Sequence, residues 1–244
     1  MCGRYKLETG PDPLRTLFGI DFTGMRLVPR YNIAPTQPIV AIRNRQGRPE
    51  PTHLRWGFVP SWARDISIGS RMINARSETV HEKPAYRHAF RRRRCLIPAD
   101  GFYEWRRRGE SRRRQPYLIT LADESPFAMA GLWEHWQDDM GNELETCTIL
   151  TTQANELVAE LHDRMPVILE PEHYDDWLNT PEQDADRLRA LCVPYPAELM
   201  MHRPVSTYVN NARHEGPQCT APPERSMPGT DDEDRPGTQT QLFH

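Results

Sequence analysis

Between residues 38 and 152 the sequence keeps returning to strand-sized apolar runs broken by turn-forming residues. Residues 38–43 and 51–56 read as two strands joined around Gly47, and residues 95–105 and 115–121 as a hairpin with the basic tip RRRGESRRR. Residues 127–133 and 145–152 form a further pair across the turn-like Asp139-Met140-Gly141-Asn142. Helical pattern is confined to 11–19, 78–93, 153–162 and two acidic stretches at 171–179 and 181–191. Another strand is expected at MPVILE (165–170) and a last one near 203–209. Strands outnumber helices and hairpins dominate. The fold class is therefore α+β: a single domain on a largely antiparallel, barrel-like β-sheet with flanking helices. No apolar run reaches the roughly 18 residues that a membrane-spanning helix needs. From about residue 221 the chain turns to Pro, Gly, Thr and Asp, so a domain over 1–220 and a disordered acidic tail over 221–244 are expected.

The mean hydropathy of −0.75 is low, but Trp, Tyr, Phe, Ile and Leu recur along most of the chain, as a packed core requires. The start of the sequence has Arg4, Lys6 and Glu8 where a signal peptide has an apolar stretch, so a cytoplasmic protein is expected. The five cysteines (2, 95, 147, 192 and 219) show no CxxC and no metal-ligand spacing with His81, His88 or His135. Neither a disulfide framework nor a metal is expected, and no motif calls for a cofactor.

The net charge of −3 conceals a segregated pattern. Ten arginines fall between 91 and 114, at 91–94, 106–108 and 112–114, against three acids in that window. Guanidinium forks match phosphate oxygens, but arginine is also ordinary solvated surface, and charge alone leaves both readings open.

Cys2 carries the distinctive chemistry. It precedes Gly3, and removal of Met1 would leave an α-amine and a thiol on adjacent carbons. Their ordinary pKa values, about 8 and 8.5, leave both partly nucleophilic at neutral pH. Such a 1,2-aminothiol can attack an amide as an N-terminal nucleophile. It can also condense with an aldehyde to a Schiff base that the thiol closes to a thiazolidine, and ring closures of this kind reach effective molarities of about 10⁵ M or more. Read alone, Cys2 is most simply a small residue after Met1.

Further segments narrow the choice: MCGRY at 1–5, YNIAPTQ at 31–37, LRWGFVPSWA at 54–63, INARSET at 73–79, IPADGFYEW at 97–105, LHDRMPVIL at 161–169 and RPVSTYVN at 203–210. In these strings and their order the chain resembles the SOS response-associated peptidase (SRAP) family of abasic-site processing proteins. The arginines at 91–94, the basic hairpin and the acidic tail lie outside the family pattern.

The resemblance implies covalent capture of abasic sites in single-stranded DNA, with junctions to duplex as a further possible substrate, by a protein expected to act as a monomer and to associate with the nucleoid when bound to DNA. It implies that Cys2 condenses with the ring-opened sugar after Met1 is removed. It assigns Asn74 to orienting the N-terminus and the sugar, Glu104 to proton transfer, and His162 to acid–base chemistry at the sugar. DNA contacts fall to Arg4, Arg76 and, with less specificity, Arg164, and to Trp62 and Pro35 against nucleobases. The residue types match these roles, since an amide donates and accepts without charge, a carboxylate among aromatics rises in pKa, and imidazole exchanges protons near pH 6.5. Two other classes share parts of the pattern. An N-terminal-nucleophile amidohydrolase also begins Met-Cys-Gly, but its glutamine-binding and oxyanion motifs are not found. A noncovalent single-strand-binding module would use the arginines and aromatics and leave Cys2, Glu104 and His162 without a role.

Overall fold

The computed structural model describes residues 2–107, 114–182 and 184–224. In chain order the strands are β1 (Tyr5–Leu7), β2 (Arg30–Ile33), β3 (Pro38–Arg45), β4 (Arg48–Trp56), β5 (Asn74–Arg76), β6 (Arg94–Ala99), β7 (Gly101–Arg107), β8 (Arg114–Leu121), β9 (Phe127–Gln137), β10 (Glu143–Gln153), β11 (Arg164–Pro166), β12 (Ile168–Leu169) and β13 (Met200–Pro204). The α-helices are α1 (Pro11–Phe18), α2 (Arg87–Arg92), α3 (Glu156–Ala159), α4 (Tyr174–Asn179) and α5 (Ala185–Ala190). None is long and apolar enough to cross a membrane.

Strands β4, β3, β6, β9 and β10 pair in a ring, because β10 bonds both β9 and β4, and so close a five-stranded barrel. Closure removes the exposed edges that an open sheet would leave. Pairing is antiparallel except where β10 meets β4 and β5, which run parallel to it. The main core joins Ile42, Leu54, Trp56, Ile97, Met129 and Ile149, all fully or almost fully buried. The β3–β4 hairpin turns through Gln46 and Gly47, both at positive φ, as the tightest two-residue hairpin turns require.

A second sheet runs β13-β8-β7-β1-β2. The expected hairpin 95–105/115–121 is therefore only half right. β6 belongs to the barrel, and the chain changes sheet at Asp100, whose carboxylate accepts from the Glu8 and Thr9 amides at 2.6 and 2.9 Å and from the Thr9 hydroxyl at 2.7 Å. β7 and β8 then form the hairpin proper. Its tip at 108–113 lies outside the described residues, as does the tail from 225 onward.

Two expected helices shrink for local reasons. Within 78–93 only α2 is regular: Pro84 has no amide hydrogen and disfavours helix at the residue before it, so 77–86 forms separate turns. Within 153–162 the strand β10 runs on to Gln153, and Asn155 caps the single turn α3 by accepting from the Val158 amide at 2.9 Å. The last strand lies earlier than expected, and Ser206 instead caps a short 3₁₀ helix at Thr207–Asn210.

Candidate active site

The start of the chain is built into the interior of a sheet. Strand β1 lies between β2 and β7, with Tyr5 paired to both Ile33 and Phe102. The Tyr103 amide donates to the Arg4 carbonyl at 3.0 Å, so the segment before β1 runs beside Glu104. Cys2 is fully buried, its sulfur 3.9 Å from the Arg4 carbonyl oxygen. Burial drives the thiol pKa far up, and the nearby Glu104 carboxylate pushes the same way.

Glu104 is 4% exposed. Burial raises its pKa from 4.5 to about 7, while the positive chain terminus and the Trp105 amide pull it back. Asp163, beside His162, adds to the rise, which places the end of the α3 loop within electrostatic reach of Glu104. Glu160 in that loop also ties it to the second sheet, through Arg106 of β7 at 3.2 Å and His202 of β13 at 3.3 Å.

His162 is partly buried and its pKa is lowered, first by burial and next by the chain-terminus charge. Its Nδ1 lies 3.0 Å from the Arg164 amide nitrogen and 2.8 Å from Asp163 Oδ1. The two contacts demand opposite protonation. With a lowered pKa the ring is neutral at pH 7, so Nδ1 accepts from the Arg164 amide and Nε2 carries the proton.

β5 and β11 flank the same stretch of β10: Thr151 pairs with Arg76 on one side and Pro166 on the other. The two strands share only that residue, with Asn74 level with Ile149 and Arg164 level with Gln153. Both polar atoms of the Asn74 amide are buried and have no hydrogen-bond partner among the described residues. Native interiors rarely leave such groups unmet, and an orphaned amide costs about 1–3 kcal/mol per group.

The arginines divide sharply. Arg76 is exposed and makes no ion pair among the described residues. Arg4 donates to Asn32 Oδ1 at 2.8 Å and to the Val209 carbonyl at 2.9 Å, with its guanidinium 5.7 Å from the Trp105 ring centre. Arg164 grips Glu78 at 2.6 and 2.9 Å and the Thr151 carbonyl at 2.6 Å. Arg4 and Arg164 therefore brace the walls of the site. Of the run at 91–94, only Arg91 projects without an ion pair among the described residues. Arg92 pairs with Glu182, Arg93 with Glu134, and Arg94 is buried against the Phe90, Trp177 and Thr180 carbonyls. Sequence density marked this run as a patch; most of it joins α2, α4 and the loop after α4 to the barrel.

Trp62 stands out as a large apolar side chain that is 63% exposed. Its loop is closed by a backbone contact invisible in the sequence. A Cβ on Gly57 would lie 2.8 Å from the Gly69 carbonyl oxygen, and one on Gly69 would lie 2.6 Å from that of Gly57. Only two glycines permit this approach, and Ala63 adds an anchor by accepting from Trp136 Nε1 at 2.6 Å. Pro35 leads a turn closed by Gln37 N–H to the Ala34 carbonyl at 3.4 Å. The next residue, Thr36, sits at φ 71°, a costly conformation for a β-branched side chain.

Among the described residues Glu170, Glu172 and His173 form a cluster with metal-ligating atoms; it is partly exposed.

The family described as "SOS response associated peptidase (SRAP)" matches residues 1–212. Relatives include abasic site processing protein YoaM of Bacillus subtilis (strain 168), 45% identical over 88% of this chain and 95% of that protein. Another is abasic site processing protein HMCES of Gallus gallus, 35% identical over 93% of this chain and 80% of the relative. A crystal structure of a protein from Bacteroides thetaiotaomicron superposes with a TM-score of 0.80 at 27% identity, covering 91% of this chain and 99% of that one. Cys2, just before β1 and beside Glu104, thus lies inside the matched region, and the chain belongs to the SOS response associated peptidase (SRAP) family.

Proposed function

We propose that this protein processes abasic sites in single-stranded DNA by capturing them covalently through Cys2. The observation that carries this reading is a fully buried cysteine at position 2 beside a carboxyl group held at about pH 7. The relatives named abasic site processing proteins support the same substrate class.

Met1 is removed first, with water as the second reactant, which leaves the Cys2 α-amine. A neutral amine adds to the C1 aldehyde of the ring-opened deoxyribose. Loss of water gives the Schiff base, and the thiol then adds across the C=N bond to close the thiazolidine. The thiol proton ends on the ring nitrogen, so the sum is amine-thiol plus aldehyde to thiazolidine plus water. Because burial keeps the thiol protonated, ring closure needs a group to take that proton and return it. Glu104 suits this role, since a pKa of about 7 leaves it ready both to give and to take a proton at neutral pH. His162, neutral and protonated at Nε2, donates to the sugar oxygens and promotes ring opening. The orphaned Asn74 amide orients the amine and the opened sugar.

A missing base offers no edge to read, so affinity comes from phosphate and from neighbouring bases. Arg76 meets phosphate with its exposed guanidinium, and Trp62 stacks on a base beside Pro35. Arg4 and Arg164 contribute by holding the walls in place.

A labelled single-stranded oligonucleotide with one abasic site, run on a denaturing gel after mixing, tests the reading. A slow-migrating species that forms with the wild-type chain and not with Cys2→Ala supports it. Equal retention with both proteins, or none with either, rejects covalent capture through Cys2.

A further inference from the structure

A cavity of about 740 Å³ lies apart from the candidate active site, where α1, the β8–β9 turn, the start of α4 and the stretch before β13 meet. Leu17, Phe127, Leu169, Tyr174, Tyr195 and Leu199 form its apolar wall. On β8 it reaches Leu121, while the residue that pairs with Glu104 is Tyr117, about 13 Å further along the strand. A second cavity of about 120 Å³ adjoins it, with Leu169 and Tyr195 as the shared wall. Val193 in the second and Leu199 in the first are 56% and 47% exposed. Apolar surface left open in a concave wall marks a place where another molecule packs.

Charge narrows the occupant. No Lys or Arg lines either cavity. Asp123 lines the first and Glu170 the second, and Glu172 and Glu198 directly adjoin the wall residues Pro171 and Leu199. Asp123 accepts from the Ser125 amide at 3.0 Å and from its hydroxyl at 2.7 Å, which holds the carboxyl below the usual range. Burial raises the pKa of Tyr195, and the carboxylates of Glu170, Asp123 and Glu172 raise it further. Acids from two separate turns therefore converge on the wall that the cavities share. A rim of this sign repels phosphate, and equally the protein's own acidic stretch at 231–234, and it attracts cations. A compact ligand would fill one cavity, whereas a chain segment laid across Tyr195 fills both.

We propose that this groove docks a segment of a partner protein in which two apolar side chains are flanked by Lys or Arg. The inference goes beyond the capture chemistry and does not depend on it. It gives the protein a recruitment surface separate from the one that meets DNA.

The test uses the full chain and a random peptide library displayed on phage, selected on the wild type and counter-selected on Leu199→Lys. That variant exchanges an exposed apolar anchor for a cation and should keep the wild-type unfolding midpoint. Selected peptides are expected to carry two apolar residues beside Lys or Arg. The best of them, measured by fluorescence anisotropy, should bind Leu199→Lys about tenfold more weakly, the worth of one lost apolar anchor. Glu172→Gln combined with Glu198→Gln should weaken it about threefold and flatten its salt dependence. Enrichment of acidic or uncharged peptides, no enrichment over Leu199→Lys, or a selected peptide that binds all three proteins equally overturns the proposal. Peptide binding that appears only in a chain cut after Ala221 also overturns it, because the tail and not a partner then holds the groove. So does a dimer in sedimentation that Leu199→Lys dissolves, because a second copy then holds it.

Discussion

Glu104 and Glu134 are equally buried, each 4% exposed, and the protein meets that cost in two ways. At Glu134 the guanidinium of Arg93 pairs with the carboxylate and itself lies 5.6 Å from the centre of the Trp133 ring. Glu134 is thereby fixed as part of a wall. At Glu104 burial dominates and the carboxyl retains its proton to about pH 7. The first arrangement holds β9 to the segment before β6 through an ion pair. The second leaves a group that exchanges protons at neutral pH, beside a thiol and near an imidazole. A buried acid becomes useful for proton transfer when burial outweighs the positive groups beside it, as at Glu104 with the chain terminus, rather than being offset by a fixed guanidinium.

The largest expected effect separates the two carboxylates by kinetics. Glu104→Gln should slow adduct formation by about 10²- to 10⁴-fold, the usual worth of a general acid–base. Glu134→Gln should leave the rate within about twofold of wild type and instead lower stability by about 1–3 kcal/mol, read from denaturant unfolding. Equal rate losses in both variants would erase the distinction.

The pH dependence of stability divides them next. The folded chain binds the Glu104 proton up to about pH 7, and a free glutamate loses it near 4.5. Between those values the folded state holds more protons than the unfolded state, so Glu104 makes stability fall as pH rises, and the fall ends above 7. Glu104→Gln should therefore gain stability over wild type from pH 5 to pH 8, by about 3 kcal/mol at most. Glu134→Gln should show no such gain. Unfolding curves across that range decide it, and a flat difference between Glu104→Gln and wild type would contradict the raised pKa.

Smaller effects extend the contrast to aromatic and basic side chains. Trp62→Ala removes an exposed ring and should leave stability within about 0.5 kcal/mol. Single-strand affinity, measured by anisotropy, should fall about tenfold, in line with one lost base stack. Arg76→Ala should reduce the slope of log affinity against log salt by about 0.7, the value of one single-strand phosphate contact. Arg93→Ala should leave that slope unchanged and lower stability, because its charge is spent on Glu134. Truncation after Ala221 is expected to have the smallest effect: a modest gain in DNA affinity at low salt as the acidic residues 231–234 are removed.

The barrel was legible where its strands are long. Residues 38–56 and 127–153 carry enough alternation and turn chemistry to show themselves, and the hairpins around Gly47 and 138–142 fall where expected. Strands of three or four residues such as β1, β2 and β5 have no period to read, yet they position Cys2 and Asn74. The change of sheet at Asp100 was hidden because nothing in a continuous apolar run says which neighbour it will pair with. At the site, Cys2 suggested its chemistry directly, and Asn74, Glu104 and His162 came from the family strings. The aromatic neighbours of Glu104 foretold its burial and raised pKa, but the unmet amide of Asn74 and the contacts of His162 could not be read in advance. The arginine run misled for a related reason: sequence counts charges, and only the fold reveals which of them meet Glu134, Glu182 or buried carbonyls.

The central claim is covalent chemistry at Cys2, and intact mass measured under denaturing conditions tests it most directly. The purified protein is weighed before and after mixing with a single-stranded oligonucleotide carrying one abasic site. The expected result is a chain lacking Met1 that gains the mass of the oligonucleotide less one water, with no gain in Cys2→Ala. A chain that has lost Met1 and forms no adduct, or an adduct that persists in Cys2→Ala, would contradict it.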